Sequence, residues 1–94
     1  MLTTKQRAFL RSRAHALQPR LQLGKAGVSD GFVRELEQAL ARDELVKVRI
    51  GRLVETDLAA VAAKASAELV GSVGRVAIFY RKGAEPAIEL PEGD

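Results

Sequence analysis

Apolar positions along this chain follow two periods, and the switches between them predict seven elements. After Thr3 or Thr4, a hydroxyl able to cap a helix, Leu10, Ala14 and Leu17 recur at spacings of four and three, predicting a helix to about Gln18. Pro19 stops it. Arg20-Leu21-Gln22-Leu23 alternates with period two, as a short strand half-buried on its leucine face does. Gly24-Lys25-Ala26-Gly27 is a turn. Ser29 stands at an N-cap position, and Phe32, Val33, Leu36 and Leu40 line one face of a second helix to about Arg42.

Asp43-Glu44 interrupts that pattern. In Leu45 to Ile50, Val46, Val48 and Ile50 share one strand face and leave Lys47 and Arg49 on the other. A third helix is predicted from Glu55 or Thr56, with Leu58, Val61, Ala62, Ala65 and Leu69 on one face and Gly71 as its stop. Arg75 to Arg81 reads as an apolar interior strand, and the turn Lys82 to Pro86 pairs it in a hairpin with an edge strand, Ala87 to Leu90. Pro91 to Asp94 is a polar tail expected to fray. The order α-β-α-β-α-β-β predicts an α/β chain of the two-layer α+β kind with a four-stranded mixed sheet. Ninety-four residues suit one domain, 1–94.

Composition narrows the function. No cysteine and one histidine exclude disulfides, cysteine zinc sites and multi-histidine metal centres. No apolar run is long enough to span a bilayer, and the N-terminus lacks the apolar core of a secretory signal, so a cytoplasmic chain is expected. The net charge of +3 hides a polarity. Residues 1–29 carry Lys5, Arg7, Arg11, Arg13, Arg20 and Lys25 with no acid, whereas all twelve acids fall in residues 30–94. That polarity points to a polyanionic partner, nucleic acid ahead of acidic membrane.

The candidate chemistry follows the charge. Two G-x-x-G segments occur, 24–27 and 71–74. The first lies between a strand and a helix N-terminus, where backbone N–H groups favour an anion and glycines admit a phosphate–sugar chain closely. KH domains clamp single-stranded backbone with such a loop. The second follows a predicted helix C-terminus and is read as a stop and a turn. Lys25 and Arg20 flank the first loop, and Arg7 and Arg11 form a ridge one helical turn apart. Lys47 and Arg49 suit either an extension of this platform or a solvated sheet face, while Arg75 and Arg81 are read as solvent-facing strand ends. No Walker A or dinucleotide fingerprint is present. The carboxylate pairs Glu35/Glu37, Asp43/Glu44 and Glu55/Asp57 read as solvated or capping charges. His15 has no triad partner in sequence and suits a helix C-terminus or an RNA contact. Phe79 and Tyr80 could stack on bases, although burial suits Phe79 better. A non-enzymatic protein is expected.

In order and spacing the chain resembles the YhbY-type family, the stand-alone bacterial form of the chloroplast RNA-splicing and ribosome-maturation domain. The matching residues are Leu2-Thr3, Gln6-Arg7, Leu10-Arg11, Ala14-His15, Leu17 and Pro19, then Leu23-Gly24-Lys25-Ala26-Gly27-Val28-Ser29. They continue with Glu35-Leu36-Glu37, Ala39-Leu40, Glu44-Leu45-Val46-Lys47-Val48, Gly74-Arg75-Val76, Phe79-Tyr80-Arg81, and Ile88 with Leu90-Pro91. The resemblance implies a fold similar to the C-terminal domain of translation initiation factor three, and association with ribosomal RNA in the precursor large ribosomal subunit. It implicates Gly24, Lys25, Ala26 and Gly27 directly, with Arg7, Arg11, His15, Arg20 and Lys47 in support. The expected mechanism is capture by Arg7, Arg11, Arg20 and Lys25, followed by backbone contacts from the glycine loop to phosphates.

No cofactor, metal, membrane or small-molecule substrate is expected, and the state expected is a monomer. The alternatives are a module docking on a ribosomal protein or assembly GTPase, and an intron-splicing factor. Two departures stand out: Asp43 where the family often has His, and an alanine-rich stretch from Arg52 to Ser72.

Overall fold

A computed structural model describes residues 2–93. In chain order the elements are α1 (Thr4–Ala14), β1 (Leu21–Leu23), α2 (Asp30–Asp43), β2 (Leu45–Ile50), α3 (Leu58–Lys64), β3 (Glu68–Val73) and β4 (Val76–Tyr80). The sheet order is β1-β2-β4-β3. β1 runs parallel to β2, with Leu21 opposite Val48, and β4 is antiparallel to both β2 and β3. The chain is thus α+β with a four-stranded mixed sheet and β4 inside it, as its apolar run predicts.

Period-two alternation on β2 and β4 feeds two cores. Val46, Val48, Ala77 and Phe79 meet α2 and α3 through Phe32, Leu36, Leu40, Val61 and Ala62 on one face. On the other, Leu45, Ile78, Tyr80 and Val70 meet Leu10 and Ala14 of α1, together with Leu2 and Ile88. A two-layer arrangement therefore gains a third layer, because α1 covers the second face. Phe79 and Tyr80 both lie inside.

Local chemistry sets the helix starts. Thr3 caps α1 in a full capping box, its hydroxyl accepting from the Gln6 amide while the Gln6 side chain accepts from the Thr3 amide. Ser29 Oγ accepts from Phe32 N–H at 3.1 Å, as predicted, and Asp57 caps α3 by accepting from Ala59 and Ala60.

Two helix ends differ from the sequence reading. Helix α1 ends at Ala14 with His15 as its cap, not near Gln18, and the chain then loops into sheet pairing at Arg20, whose N–H donates to Lys47 O. Helix α3 ends at Lys64, not beyond Leu69. Ser66, at φ +53°, supplies the left-handed residue, with Ala67 N–H donating to Ala62 O and Ser66 N–H to Ala63 O in a Schellman closure. Leu69 and Gly71 instead belong to β3, which is bulged between them. The second glycine pair is therefore not a helix stop followed by a turn. Gly71 is a strand residue, and Gly74, at φ +58°, turns β3 into β4.

The predicted edge strand at 87–90 does not form. Two of its backbone amides, those of Ala87 and Ile88, are taken by Glu44, a 4 % exposed carboxylate. Glu44 Oε1 accepts from Ala87 and Ile88 N–H, each at 2.9 Å, and Oε2 accepts from Gly83 N–H at 2.8 Å. A side chain on Gly83 would stand 2.6 Å from Glu44 Oε2, so only glycine admits this approach. Burial by itself would raise the Glu44 pKa, but the amides of Ile88, Gly83 and Ala87 outweigh it and hold the group below the usual carboxylate value. In turn, burial first, and then the charges of Glu44 and Glu68, push the Tyr80 phenol up. Beyond this clamp, Pro91 O accepts from Gln6 Nε2 at 3.0 Å. The tail predicted at 91–94 ends at Asp94, outside the described residues.

Two stability experiments follow. Glu44→Gln turns an amide toward buried N–H donors and is expected to cost about 2–3 kcal/mol in urea unfolding near neutral pH. Because the folded pKa is depressed, this stabilisation is complete above about pH 5 and is lost as pH falls through the folded value, so the variant should show the flatter pH profile. Ser66→Gly relieves a left-handed backbone and is expected to stabilise by about 1 kcal/mol, read as a Tm about 4–8 °C higher.

Candidate nucleic-acid interface

The G-x-x-G segment 24–27 leaves the C-terminal end of β1 as a tight turn, closed by Gly27 N–H donating to Gly24 O at 2.9 Å. Gly27 has φ +73°, which an L side chain resists, while a side chain on Gly24 would meet nothing within 4 Å. Among the described residues, the amides of Lys25 and Ala26 donate to no protein acceptor. Lys25 and Ala26 are exposed. The loop thus offers two backbone donors and an ammonium to solvent. The α2 N-terminus contributes less than its sequence position suggests, because Ser29 already satisfies one of its donors and Asp30 places a carboxylate in the first turn.

The loop is joined to the sheet. Gly51 N–H donates to Leu23 O at 2.9 Å, and Arg75 Nη1 donates to Gly51 O at 3.2 Å. Arg75 is therefore a brace for the turn beside Gly24, as well as an exposed charge. Val76, the next residue, lines a groove of about 630 Å³ between the C-terminal end of α1, the segment 17–19 and the sheet.

That groove brings Arg11, His15, Lys47 and Arg49 together, and among the described residues no carboxylate lines it. Their convergence follows from β2 alternation: Lys47 and Arg49 lie on the α1 side of the sheet, opposite Ile78 and Val76 in the register. Arg11 is seated where its stem crosses Gly71, whose bare Cα faces Arg11 Cδ. Lys47 Nζ donates to Leu17 O at 3.1 Å, so this lysine also fixes the α1–β1 loop. Glycine loop and groove lie at one end of the sheet, where β1, β2 and β3 end and β4 begins.

Two expected residues are placed elsewhere. Arg20 lines a second groove with Arg13 and Asp43, and its Nε lies 3.9 Å from Asp43 Oδ2, which also sits 3.5 Å from Arg42 Nε. Arg20 is thus partly neutralised by Asp43. Arg7 lies one turn before Arg11 and lines neither groove. Conversely, Arg49 lines the groove and Arg75 braces the turn beside the glycine loop. The strand period marks Arg49, whereas nothing local marks Arg75, whose role depends on a partner 24 residues away.

Other chemistries find little purchase among the described residues. Glu37 pairs with Arg81 at 4.0 Å, Asp57 caps α3 and Glu44 is the clamp. No group of three or more His, Asp or Glu side chains is placed to hold a metal, and no helix is long and apolar enough to cross a membrane. Phe32, Phe79 and Tyr80 are buried, and Phe9 is half-buried beneath Arg13, whose guanidinium lies 5.8 Å from the ring centre.

Comparison with known proteins gives a consistent picture. The CRS1/YhbY (CRM) domain matches residues 2–81. The chain is 41% identical to the probable RNA-binding protein YqeI of Bacillus subtilis, over 97% of this chain and 100% of that one. It is 37% identical to an RNA-binding protein of Haemophilus influenzae, over 96% and 95% of the two chains. The solution structure of the Staphylococcus aureus protein SAV1595, described as an RNA-binding candidate, superposes with a TM-score of 0.77 at 34% identity, covering 97% of this chain and 100% of that one. A match of this extent, together with the shared fold, makes the chain a member of the CRS1/YhbY (CRM) domain family.

Proposed function

We propose that this chain binds RNA without catalysing a reaction, and that its target is ribosomal RNA on precursors of the large ribosomal subunit. The observation that carries the RNA reading is the junction of the acid-free basic groove with a glycine loop whose amides are open to solvent. The names of the relatives support the same partner. The ribosomal assignment rests on the family resemblance of the motifs. Lys25, Arg11, Lys47 and Arg49 attract the phosphates, and the Lys25 and Ala26 amides then hold one of them. Neutralising about four to six phosphates gives a slope of log K against log salt of roughly −3 to −5.

Lys25→Glu is expected to weaken RNA binding about tenfold at 0.1 M salt and to reduce the salt slope by about one. Fluorescence anisotropy against salt measures both, and an unchanged affinity would remove the loop from the interface. Gly24→Asp tests the same loop without backbone strain, since space there is open. The corresponding Gly27→Asp should also lose about 1–2 kcal/mol of stability, visible in thermal unfolding. Co-sedimentation with large-subunit precursors that disappears on RNase treatment tests the ribosomal target, because docking through protein contacts would survive it.

Asp43 supplies an independent check. Asp43→Asn removes the carboxylate beside Arg20 and Arg42 and is expected to raise RNA affinity about two- to threefold at low salt. The gain should vanish near 0.5 M salt, and its absence at low salt would place Arg20 outside the field felt by RNA.

A further inference from the structure

The groove that gathers the basic side chains also has an apolar floor, which phosphate capture does not require. Val73 is 66% exposed at its mouth, Leu17 is 37% exposed on its α1 side, and Pro19, Val76 and Ile78 complete the lining. Among the described residues, Leu17, Leu53 and Val73 are the exposed large hydrophobics, and two of the three stand in this groove beside Arg11, Lys47 and Arg49. The volume, about 630 Å³, falls within the range of pockets that hold small organic groups.

We propose that this groove seats an unpaired nucleobase, so that the RNA taken by this chain is single-stranded where it crosses the α1–sheet cleft. The proposal rests on the RNA-binding reading above and adds to it the strandedness of the ligand and a second contact point. Charge complementarity selects the occupant: the rim carries Arg11, His15, Lys47 and Arg49 with no carboxylate among the lining residues, which suits the phosphates on either side of a base and disfavours an acidic or mixed-charge peptide. The floor then takes the base itself. In a duplex both faces of each base are covered by neighbours, so only an unpaired nucleotide can lay a face on Val73, Val76 and Leu17. With Phe32, Phe79 and Tyr80 buried and Phe9 half-covered, aliphatic surface and the planes of Arg11 and Arg49 replace the aromatic platforms common to single-strand binders. The glycine loop, at the same end of the sheet, holds backbone further along the strand.

The test compares three labelled or competing polyanions by anisotropy: random-sequence single-stranded RNA, the same RNA annealed to its complement, and inorganic polyphosphate, which has charge but no bases. The wild-type chain should prefer the single strand to both others. Leu17→Ser with Val73→Ser alters two side chains outside both buried clusters, and circular dichroism with thermal unfolding checks that the fold is kept. The double variant should lose about fivefold in single-strand affinity while leaving polyphosphate affinity and the salt slope unchanged. Equal binding of single strand and duplex, or a double variant indistinguishable from wild type, overturns the base-seating proposal. If Lys25→Glu still weakens RNA binding in that case, the RNA reading stands and the groove alone is wrong. Absence of binding to either RNA removes both.

Discussion

One buried carboxylate fastens the segment after β4 to the start of β2, and Ile88 of that segment joins the core on which α1 packs. Glu44 ends α2 at φ +65°, a conformation that only a compensating interaction holds in a non-glycine residue, and its side chain spans from the start of β2 to the segment after β4. Three backbone amides converge on it, and its own carbonyl accepts from Arg81 N–H at 2.9 Å. These bonds deliver Ile88 into the core beneath α1 and bring Pro91 to the Gln6 side chain. A neutral acceptor could not satisfy three donors across two oxygens as strongly, because charge-assisted hydrogen bonds are about twice as strong as neutral ones. The cleft between α1 and the sheet exists because Leu10 and Ala14 seat α1 on Val70, Ile78 and Tyr80, with Ile88, placed by the clamp, in the same core.

The interface is a product of topology more than of local charge. Basic residues occur along the whole chain, but ion pairs with Asp43 and Glu37 draw Arg20, Arg42 and Arg81 toward acids. Those that remain available at one end come from three separate elements. Arg11 and His15 arrive on α1, Lys47 and Arg49 on β2, and Lys25 on the turn after β1. Parallel pairing of β1 with β2 is what brings the glycine loop to the end of β2 from which Arg49 projects. The charge polarity of the sequence thus identifies a kind of partner, and the sheet register places the surface that meets it.

Legibility varied for physical reasons. Elements with their own caps and a clean period were readable: α2 with Ser29, β2 with its alternation, and β4 with its apolar run. The spacing of Ala65 and Leu69 continues the helical period past Lys64, where α3 ends. What ended the helix was Ser66 taking a left-handed backbone, which serine does not announce as glycine would. The alternating segment 87–90 was read as a strand because nothing nearby in sequence reveals that Glu44, more than forty residues earlier, binds its amides. In the candidate site, Lys25 and the glycines stand out through local turn chemistry. Arg75 does not, and the proximity of Arg20 to Asp43 is equally invisible locally, because each contact joins residues far apart in the chain.

By itself the sequence determined the broad alternation of helices and strands, the excess of positive charge in the first 29 residues and, through its motifs, the family. These are properties of spacing and composition, and they survive any arrangement in space. The tertiary structure decided which side of the sheet α1 covers, which basic residues are neutralised, and that Leu17 and Val73 stay in water beside Arg11 and Arg49. Each of those outcomes turns on contacts between residues far apart in the chain. Such contacts become specific only when the Glu44 clamp and the strand register fix which surfaces meet.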